Sequence, residues 1–419
     1  MKTHHPTISR LGYILSLIIL TNNAHQQAVI CVPVADLVGQ SIKSIYPNLS
    51  TDNAYNALPM CPGQKNAGYA CPRLHQLLYN DVVTIIKQTD DETCIQTSHA
   101  FYITPTSSTP QSIYWTATKN IRTFDDLARN KHINLDYIPQ PIQFNDPDNT
   151  ALLDDLVETL IIPHYDPVTR LTFSAGTRFV RTPKQKNLRA KKINVFAIDY
   201  QKNKMMRIAI PAHKLINQSL LKTPENQIHQ YVHLIKEWAH QKQGFIPYVW
   251  GGNSFTTTIH TPFKEVTKKN NTHEYSWYEF DADSTTPKNG FDCSGLIARA
   301  TQICGIPYFC KNTTTIANYL QPLQPDDTLM NGDLILIKGH VMVVSDIANN
   351  LLIEARGYTH GYGKLHEVPL KKVFDGIKTY QQLCDAFFNK KALKRKDSNG
   401  KIRDSFNDWK ILKIMSVYK

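Results

Sequence analysis

The sequence predicts a chain of several domains, all-β through its first half and α+β in its last part. Three observations lead there. Short strand candidates broken by turn signals fill residues 28–120, and a second set fills 171–211. From Thr223-Pro224 the pattern changes to helix: threonine suits the N-cap, proline the first helical position, and Ile228, Tyr231, Val232, Ile235 and Trp238 share one face. Beyond it a second helix begins at a cysteine and two apolar strands follow, so helix and sheet belong to the same last domain.

In the all-β half, Ala28–Val34 is the first strand candidate. Leu77–Ile86 reads as a turn followed by a second strand, and Thr93–Thr97 as a third, with no helix of length between them. A polar stretch, Asn145-Asp146-Pro147-Asp148-Asn149, precedes an apolar helix candidate at Leu152–Ile162. Strand patterns return at Leu171–Val180, Ile193–Ile198 and Met206–Pro211, the first interrupted by a Gly176-Thr177 turn. Two β domains with a helical link are therefore expected, rather than one.

Composition bounds the function. At 419 residues, 42% hydrophobic and 20% charged, the chain has room for about two to four domains with ordinary cores, and it is not a disordered protein. Residues 1–24 read as a signal peptide, because Lys2 and Arg10 flank an apolar run, Leu11–Leu20, too short to span a bilayer. Cleavage is expected near Asn22-Asn23-Ala24. Cys31 follows Ile30 rather than a small residue, which argues against a lipid anchor, and no other stretch is apolar enough to span. The expected location is the periplasm or cell envelope.

Export permits disulfides among the eight cysteines, and Cys61 with Cys71, each followed by proline in one short loop, is the first pair to test. No zinc-like Cys-x-x-Cys pair occurs, and no metal or organic cofactor is called for. The net charge of +12 gathers partly between Lys390 and Arg403. Attraction to an anionic surface is one reading of that run, and a solvated hairpin is the plainer one. Export and the lack of a recognisable binding motif argue against nucleic acid.

The chemistry concentrates around Phe291-Asp292-Cys293-Ser294-Gly295-Leu296. After the Asn289-Gly290 turn, Leu296, Ile297, Ala300 and Ile303 recur at helical spacing, which sets Cys293 at a helix N-terminus. Unpaired N–H groups and the helix dipole there favour an anion, so the thiol pKa is expected to fall and an oxyanion to be held. Upstream lies Tyr248-Val249-Trp250-Gly251-Gly252. Downstream, Asn331-Gly332-Asp333-Leu334 turns into a strand, and Gly339-His340-Val341 opens the next with a histidine at its mouth. A cysteine nucleophile needs a base within hydrogen-bond reach, and His340 is the candidate.

These four stretches together resemble the NlpC-type cell-wall cysteine peptidases, a papain-like family whose pattern runs Tyr-x-Trp-Gly-Gly, Asp-Cys-Ser-Gly, Pro-Gly-Asp-Leu and a strand opening with His-Val. The match covers roughly residues 226–370. Here Asn331 stands where that pattern has proline. Val32-Pro33-Val34 and Gln76-Leu77-Leu78-Tyr79 further resemble the bacterial SH3-like barrels that precede the catalytic domain in several relatives. The fold implied is multi-domain: SH3-like barrels at 25–130 and, after a helical linker, within 131–222; an α+β papain-like cysteine peptidase domain at 223–388; and a basic extension with a final strand at 389–419.

The resemblance also implies roles. Cys293 attacks an amide carbonyl and His340 moves the proton. In the family a third polar residue on the next strand orients the imidazole, and Glu354 falls there, with His360 or His366 as alternatives. Tyr248 matches the tyrosine beside the nucleophile. Asp292 opposes a thiolate, so a different task is expected of it: with Ser294 it would hold the free amine of the substrate's terminal L-alanine, Tyr114 closing that pocket from the first barrel. Asp333 is expected to serve its own turn. The long insertion between Gly252 and Phe291, with Trp277, Tyr278 and Phe280, reads as a cover for the site. The implied activity is hydrolysis of peptidoglycan stem peptides between D-γ-glutamate and a diamino acid, with peptidoglycan or its fragments as partner. A non-catalytic wall-binding protein and an acyltransferase using the same thioester stay open as alternatives.

Overall fold

The computed structural model describes residues 26–58, 71–104, 109–142, 155–183, 191–259, 288–357 and 362–418, and the backbone of two strands at 264–269 and 274–279. The segment read as a signal peptide, Cys61, the stretch 145–149, Phe280 and His360 lie outside these residues.

The first region is one antiparallel sheet of seven strands, ordered Arg73–Leu78, Val34–Val38, Ile113–Ala117, Glu92–Gln96, Val82–Gln88, Gln26–Ile30 and Ile121–Thr123. The apolar run expected as one strand over 28–34 is two. It breaks before Val34, where Pro33 offers no N–H to a ladder, and the halves pair with different neighbours. The turn expected near Tyr79 is present: Asn80 has φ 69°, and the Asp81 carboxylate accepts from the Leu78 N–H at 2.7 Å.

Of the helix expected over Leu152–Ile162, the part within the described residues, from 155 on, is not helical; Val157–Leu160 is a strand between Arg178–Val180 and Leu215–Ile216. The strand is buried on both faces although Glu158 and Thr159 lie within it, while Leu156 is exposed, so the residue types there do not report which side chains face the core and spacing cannot separate the two states. β-branched Val157 and Thr159, and Pro163 close behind, favour the strand. The second β region adds the hairpins His164–Asp166 with Leu171–Phe173 and Lys192–Asp199 with Lys204–Pro211. It shares an apolar core with the first: Val29, Tyr79 and Val82 pack with Leu160, Phe173, Phe179 and Val195. The Tyr79 hydroxyl, buried there, donates to the Ile198 carbonyl and accepts from its N–H, both at 2.6 Å.

The last region holds the site. Helix Pro224–Ala239 starts as expected, with the Thr223 side chain accepting from the Asn226 N–H. Its predicted apolar face is buried, and Trp238 stacks on Phe291 with ring centroids 5.0 Å apart. A five-stranded antiparallel sheet runs Lys364–Pro369, Leu351–Arg356, His340–Asp346, Leu334–Ile337 and Lys410–Leu412. Residues 389–419, set apart in the sequence as a basic extension, thus supply the edge strand of this sheet. Alternation decides what faces what: Leu334, Leu336, Val341 and Val343 meet the helices, while Ile335, Ile337, Met342 and Val344 meet Phe374, Leu383, Leu393 and Trp409. Each such aliphatic side chain contributes about 1.5–3 kcal/mol by burial.

Helix Cys293–Ile303 is buried along all eleven residues, on every face. A helix with Arg299 and Gln302 in its middle can be buried only if something satisfies them. The first β region does part of this: Gln302 donates to the His99 carbonyl at 2.6 Å, and Arg299 reaches the Asn253 carbonyl at 3.0 Å and the Gln76 carbonyl at 3.4 Å. The insertion between Gly252 and Phe291 contains a hairpin, Lys264–Lys269 with Glu274–Glu279. Among the described residues no helix is long and apolar enough to cross a membrane.

Candidate active site

Cys293 stands at the first position of its helix, after Asp292 as N-cap, whose side chain accepts from the Gly295 N–H at 2.5 Å. This turn is pressed against the Val249–Gly252 loop, where Gly251 takes φ 68° and Gly252 donates to the Val249 carbonyl. A Cβ on Gly295 would overlap the Gly252 carbonyl oxygen. That close approach is why glycine follows the Asp-Cys-Ser run.

The thiol differs from the expectation. Its pKa is pushed up to about 12, because burial and the Asp292 charge outweigh the lowering influence of Val341 and Ser294 main-chain hydrogen bonds and of Lys311. The helix terminus was expected to win and does not; a desolvated sulfur beside a carboxylate rests as the thiol. Val341, whose main chain hydrogen-bonds the sulfur, immediately follows His340, so the cysteine and the histidine strand meet.

His340 Nε2 lies 2.7 Å from Glu354 Oε2, and Glu354 is fully buried. Burial and then the Arg395 charge lower the imidazole pKa to about 4, with Glu354 acting against them. For Glu354, burial raises the pKa, but Arg395 and His340 outweigh it and hold the carboxyl well below its usual range. An ionised Glu354 accepts only, so the Nε2 facing it carries the proton and Nδ1 is left with the lone pair of a base. The other carboxylate oxygen, Oε1, has His366 Nε2 at 3.3 Å and Arg356 Nη1 at 3.7 Å. His366, the alternative third residue, therefore sits on Glu354 and not on His340. His360 lies outside the described residues.

Arg395 comes from the basic C-terminal run. It is 4% exposed and donates to Glu354 Oε2 at 2.5 Å, so a segment read as solvated or wall-binding charge delivers a buried residue to the site. The strand Leu393–Lys396 alternates, with Leu393 and Arg395 buried and Lys394 exposed. Only the strand period counted from the apolar Leu393 could have placed Arg395 on the inner face; the residue types of Lys394 and Arg395 do not tell them apart.

The amine pocket needs correcting. Lys311 is 3% exposed, and its ammonium lies 3.0 and 2.8 Å from the two Asp292 oxygens and 3.4 Å from Ser294 Oγ. Ser294 itself donates to Asp292 Oδ1 at 2.9 Å. The carboxylate expected to receive a substrate amine already carries a resident one. Nothing in the spacing around Tyr308-Phe309-Cys310-Lys311 marks that lysine in advance. Tyr114 does not close a pocket either: it is wholly buried, its hydroxyl on the Ala100 carbonyl at 3.5 Å and its ring against His75 and Tyr102. It lies on the strand Ile113–Ala117, which the sequence reading did not pick out, and its side chain belongs to the core of its own sheet.

Tyr248 is buried in the same core cluster as Cys293, with its ring beside Gly357. Asp333 serves its turn, accepting from the Met330 N–H at 2.8 Å, and also pins the C-terminal segment through Lys413 at 2.7 Å and the Ile414 N–H at 3.1 Å. Missed in the sequence were Arg73 and the docking role of Gln76. Arg73 pairs with Asp36 at 2.8 Å and donates to the Trp250 carbonyl at 3.1 Å, while the Gln76 side chain accepts from the Asn253 N–H and the Ser254 hydroxyl. They dock the first sheet onto the loop that supports the nucleophile.

The sequence matches no protein family model and no curated protein. Among solved structures it is similar to an NlpC/P60 family protein from Bacillus cereus ATCC 10987, with 15% identity, a TM-score of 0.49, and coverage of 82% of this chain and 94% of that one. NlpC2 from Trichomonas vaginalis aligns over 83% and 95% at 10% identity and a TM-score of 0.29. The peptidoglycan hydrolase RipB from Mycobacterium tuberculosis aligns over 36% of this chain and 63% of that one at 26% identity, with a TM-score of 0.22.

Proposed function

We propose that this chain is an exported cysteine peptidase that cuts peptidoglycan stem peptides between D-γ-glutamate and a diamino acid. The observation that carries the reading is the array of Cys293 at a buried helix start, His340 one residue from the main chain that hydrogen-bonds its sulfur, and Glu354 at 2.7 Å from the imidazole. The motif resemblance around these residues supplies the substrate class.

The chemistry begins from a neutral pair. Cys293 Sγ attacks the amide carbonyl as its proton passes to His340 Nδ1, and the Nε2–H bond to Glu354 stabilises the imidazolium that forms. The N–H groups at the helix start face the developing oxyanion. His340 then gives the proton to the leaving amine as the C–N bond breaks. Water attacks the thioester, with His340 taking its proton, and the thiol is restored.

A cleft of about 360 Å³ opens beside the Lys338-Gly339 turn that precedes His340. Lys338, Asp408 and Lys410 line it along with Trp409. None of Cys293, His340 and Glu354 lines that cleft, so the substrate class rests on the motif resemblance rather than on it. The test is incubation with L-alanyl-γ-D-glutamyl-diaminopimelate peptides, products read by mass spectrometry. Cleavage by the wild type and none by Cys293→Ala is expected; equal cleavage by both would refute the reading.

A further inference from the structure

We infer that Lys311 is a specificity-determining residue: its ammonium is the resident counter-ion of Asp292, so the acyl-side subsite next to Cys293 is charge-neutral and takes N-capped or otherwise uncharged groups rather than a free amine. This rests on the proposed peptidase reading and sharpens its substrate class. Two observations carry it. The pair is buried on both sides, with Lys311 at 3% and Asp292 at 8% exposure, so its charges are little screened by water. Both carboxylate oxygens take the ammonium, at 3.0 and 2.8 Å, while Oδ1 also serves Ser294 and the Gly295 N–H. An arriving substrate amine would have to displace a cation covalently tethered at the site.

The lysine is also held in place by the neighbouring region. The Lys311 N–H donates to the Phe101 carbonyl at 3.0 Å, and the Phe101 N–H to the Phe309 carbonyl at 3.0 Å, so a piece of the first β region pairs with the segment carrying the ammonium. Next to it, the Asn312 side chain donates to the Ile103 carbonyl at 3.0 Å, and the Ile103 N–H donates to Thr315 Oγ1 at 2.7 Å. The first β region thereby acts on specificity through the lysine it positions, not through Tyr114.

Two readouts test this in the full chain. The first compares rates on L-Ala-γ-D-Glu-diaminopimelate peptides with free and with acetylated amino ends. The wild type is expected to cut the acetylated peptide at least as fast as the free one. Lys311→Met leaves Asp292 without its cation and should shift the preference toward the free amine by about tenfold or more. The double variant Asp292→Asn with Lys311→Met removes both charges and should return the ratio to the wild-type value, which general damage to the fold would not do.

The second readout needs no peptidase activity. Cys293 is labelled with a cationic (trimethylammonium) and an anionic (sulfonate) methanethiosulfonate, and labelling of its peptide is followed by mass spectrometry. The cation-to-anion rate ratio should rise about tenfold in Lys311→Met and not in the double variant. A shifted labelling ratio with no cleavage of either peptide would keep the lysine's role and refute the peptidase reading. Wild-type cleavage of the free-amine peptide tenfold faster than the acetylated one, or an unchanged labelling ratio in Lys311→Met, would overturn the inference.

Discussion

Asp292 and Glu354 are both buried carboxylates flanking the candidate nucleophile and base, each bearing a basic side chain of the chain itself, yet they are assembled differently. The partners of Asp292 lie close in sequence: Ser294, Gly295 and Lys311, the farthest 19 residues away. Glu354 gathers His340 from 14 residues before it, His366 from 12 after and Arg395 from 41 after. One carboxylate and one ammonium cancel at Asp292. Around Glu354, Arg395 and Arg356 oppose a single carboxylate, and the positive excess helps keep His340 neutral. A local cluster can therefore set what the site accepts, while a long-range cluster sets the protonation state in which it works.

Breaking the base and the nucleophile themselves should have the largest effect. Cys293→Ala and His340→Ala are each expected to lower kcat/KM for stem-peptide cleavage by several orders of magnitude with unchanged circular dichroism, since members of such a unit fail together. The two carboxylates separate next. Glu354→Gln leaves Arg395 and Arg356 buried without an anion, a loss of about 3–5 kcal/mol in urea denaturation. Asp292→Asn also strands a buried charge, but only that of Lys311, and it keeps a helix-capping side chain, so its loss should fall at the lower end of that range, about 3 kcal/mol. The reverse order would show that Glu354 is not the more heavily charged centre.

A pH profile sharpens the comparison further. His340 must be neutral to act as base, and its pKa lies near 4 rather than 6.5 because of burial and Arg395. The acid limb of kcat/KM should therefore fall near pH 4 in the wild type, and move up toward the ordinary imidazole range in Arg395→Gln, the rates converging above neutrality. The same shift has a stability consequence. The folded chain binds this proton less readily than the unfolded one, so stability is full above about pH 6.5 and is lost by up to roughly 3 kcal/mol as pH falls toward 4. Smallest is the docking contact: Arg73→Met should cost about 1–2 kcal/mol and lower turnover modestly, through the Trp250 carbonyl it leaves.

The legibility of these features follows from their range. Helix Pro224–Ala239, the cysteine helix and the strands carrying His340 and Glu354 were readable because cap residues, apolar spacing and glycine turns are local. Val157–Leu160 was misread because polar Glu158 and Thr159 are buried there while Leu156 is exposed, so residue type does not track burial. Arg395 hid in the basic run beside the exposed Lys394, because residue type there does not tell an inward basic side chain from an outward one. Lys311 had no local signature, since its burial depends on the backbone of Phe101 some two hundred residues earlier. The thiol pKa was misjudged for the same reason. A helix terminus is visible in sequence; the desolvation that overrides it is a property of the assembled regions.

The central claim is a covalent one, that Cys293 carries the acyl group of the substrate during turnover. Rapid acid quenching of the wild type with a γ-D-glutamyl-diaminopimelate peptide, followed by mass spectrometry of the intact chain and its fragments, tests it directly. The account predicts an adduct equal in mass to the acyl fragment, located on Cys293 and absent from Cys293→Ala. Product formation with no adduct on Cys293, together with undiminished turnover by Cys293→Ala, would contradict it.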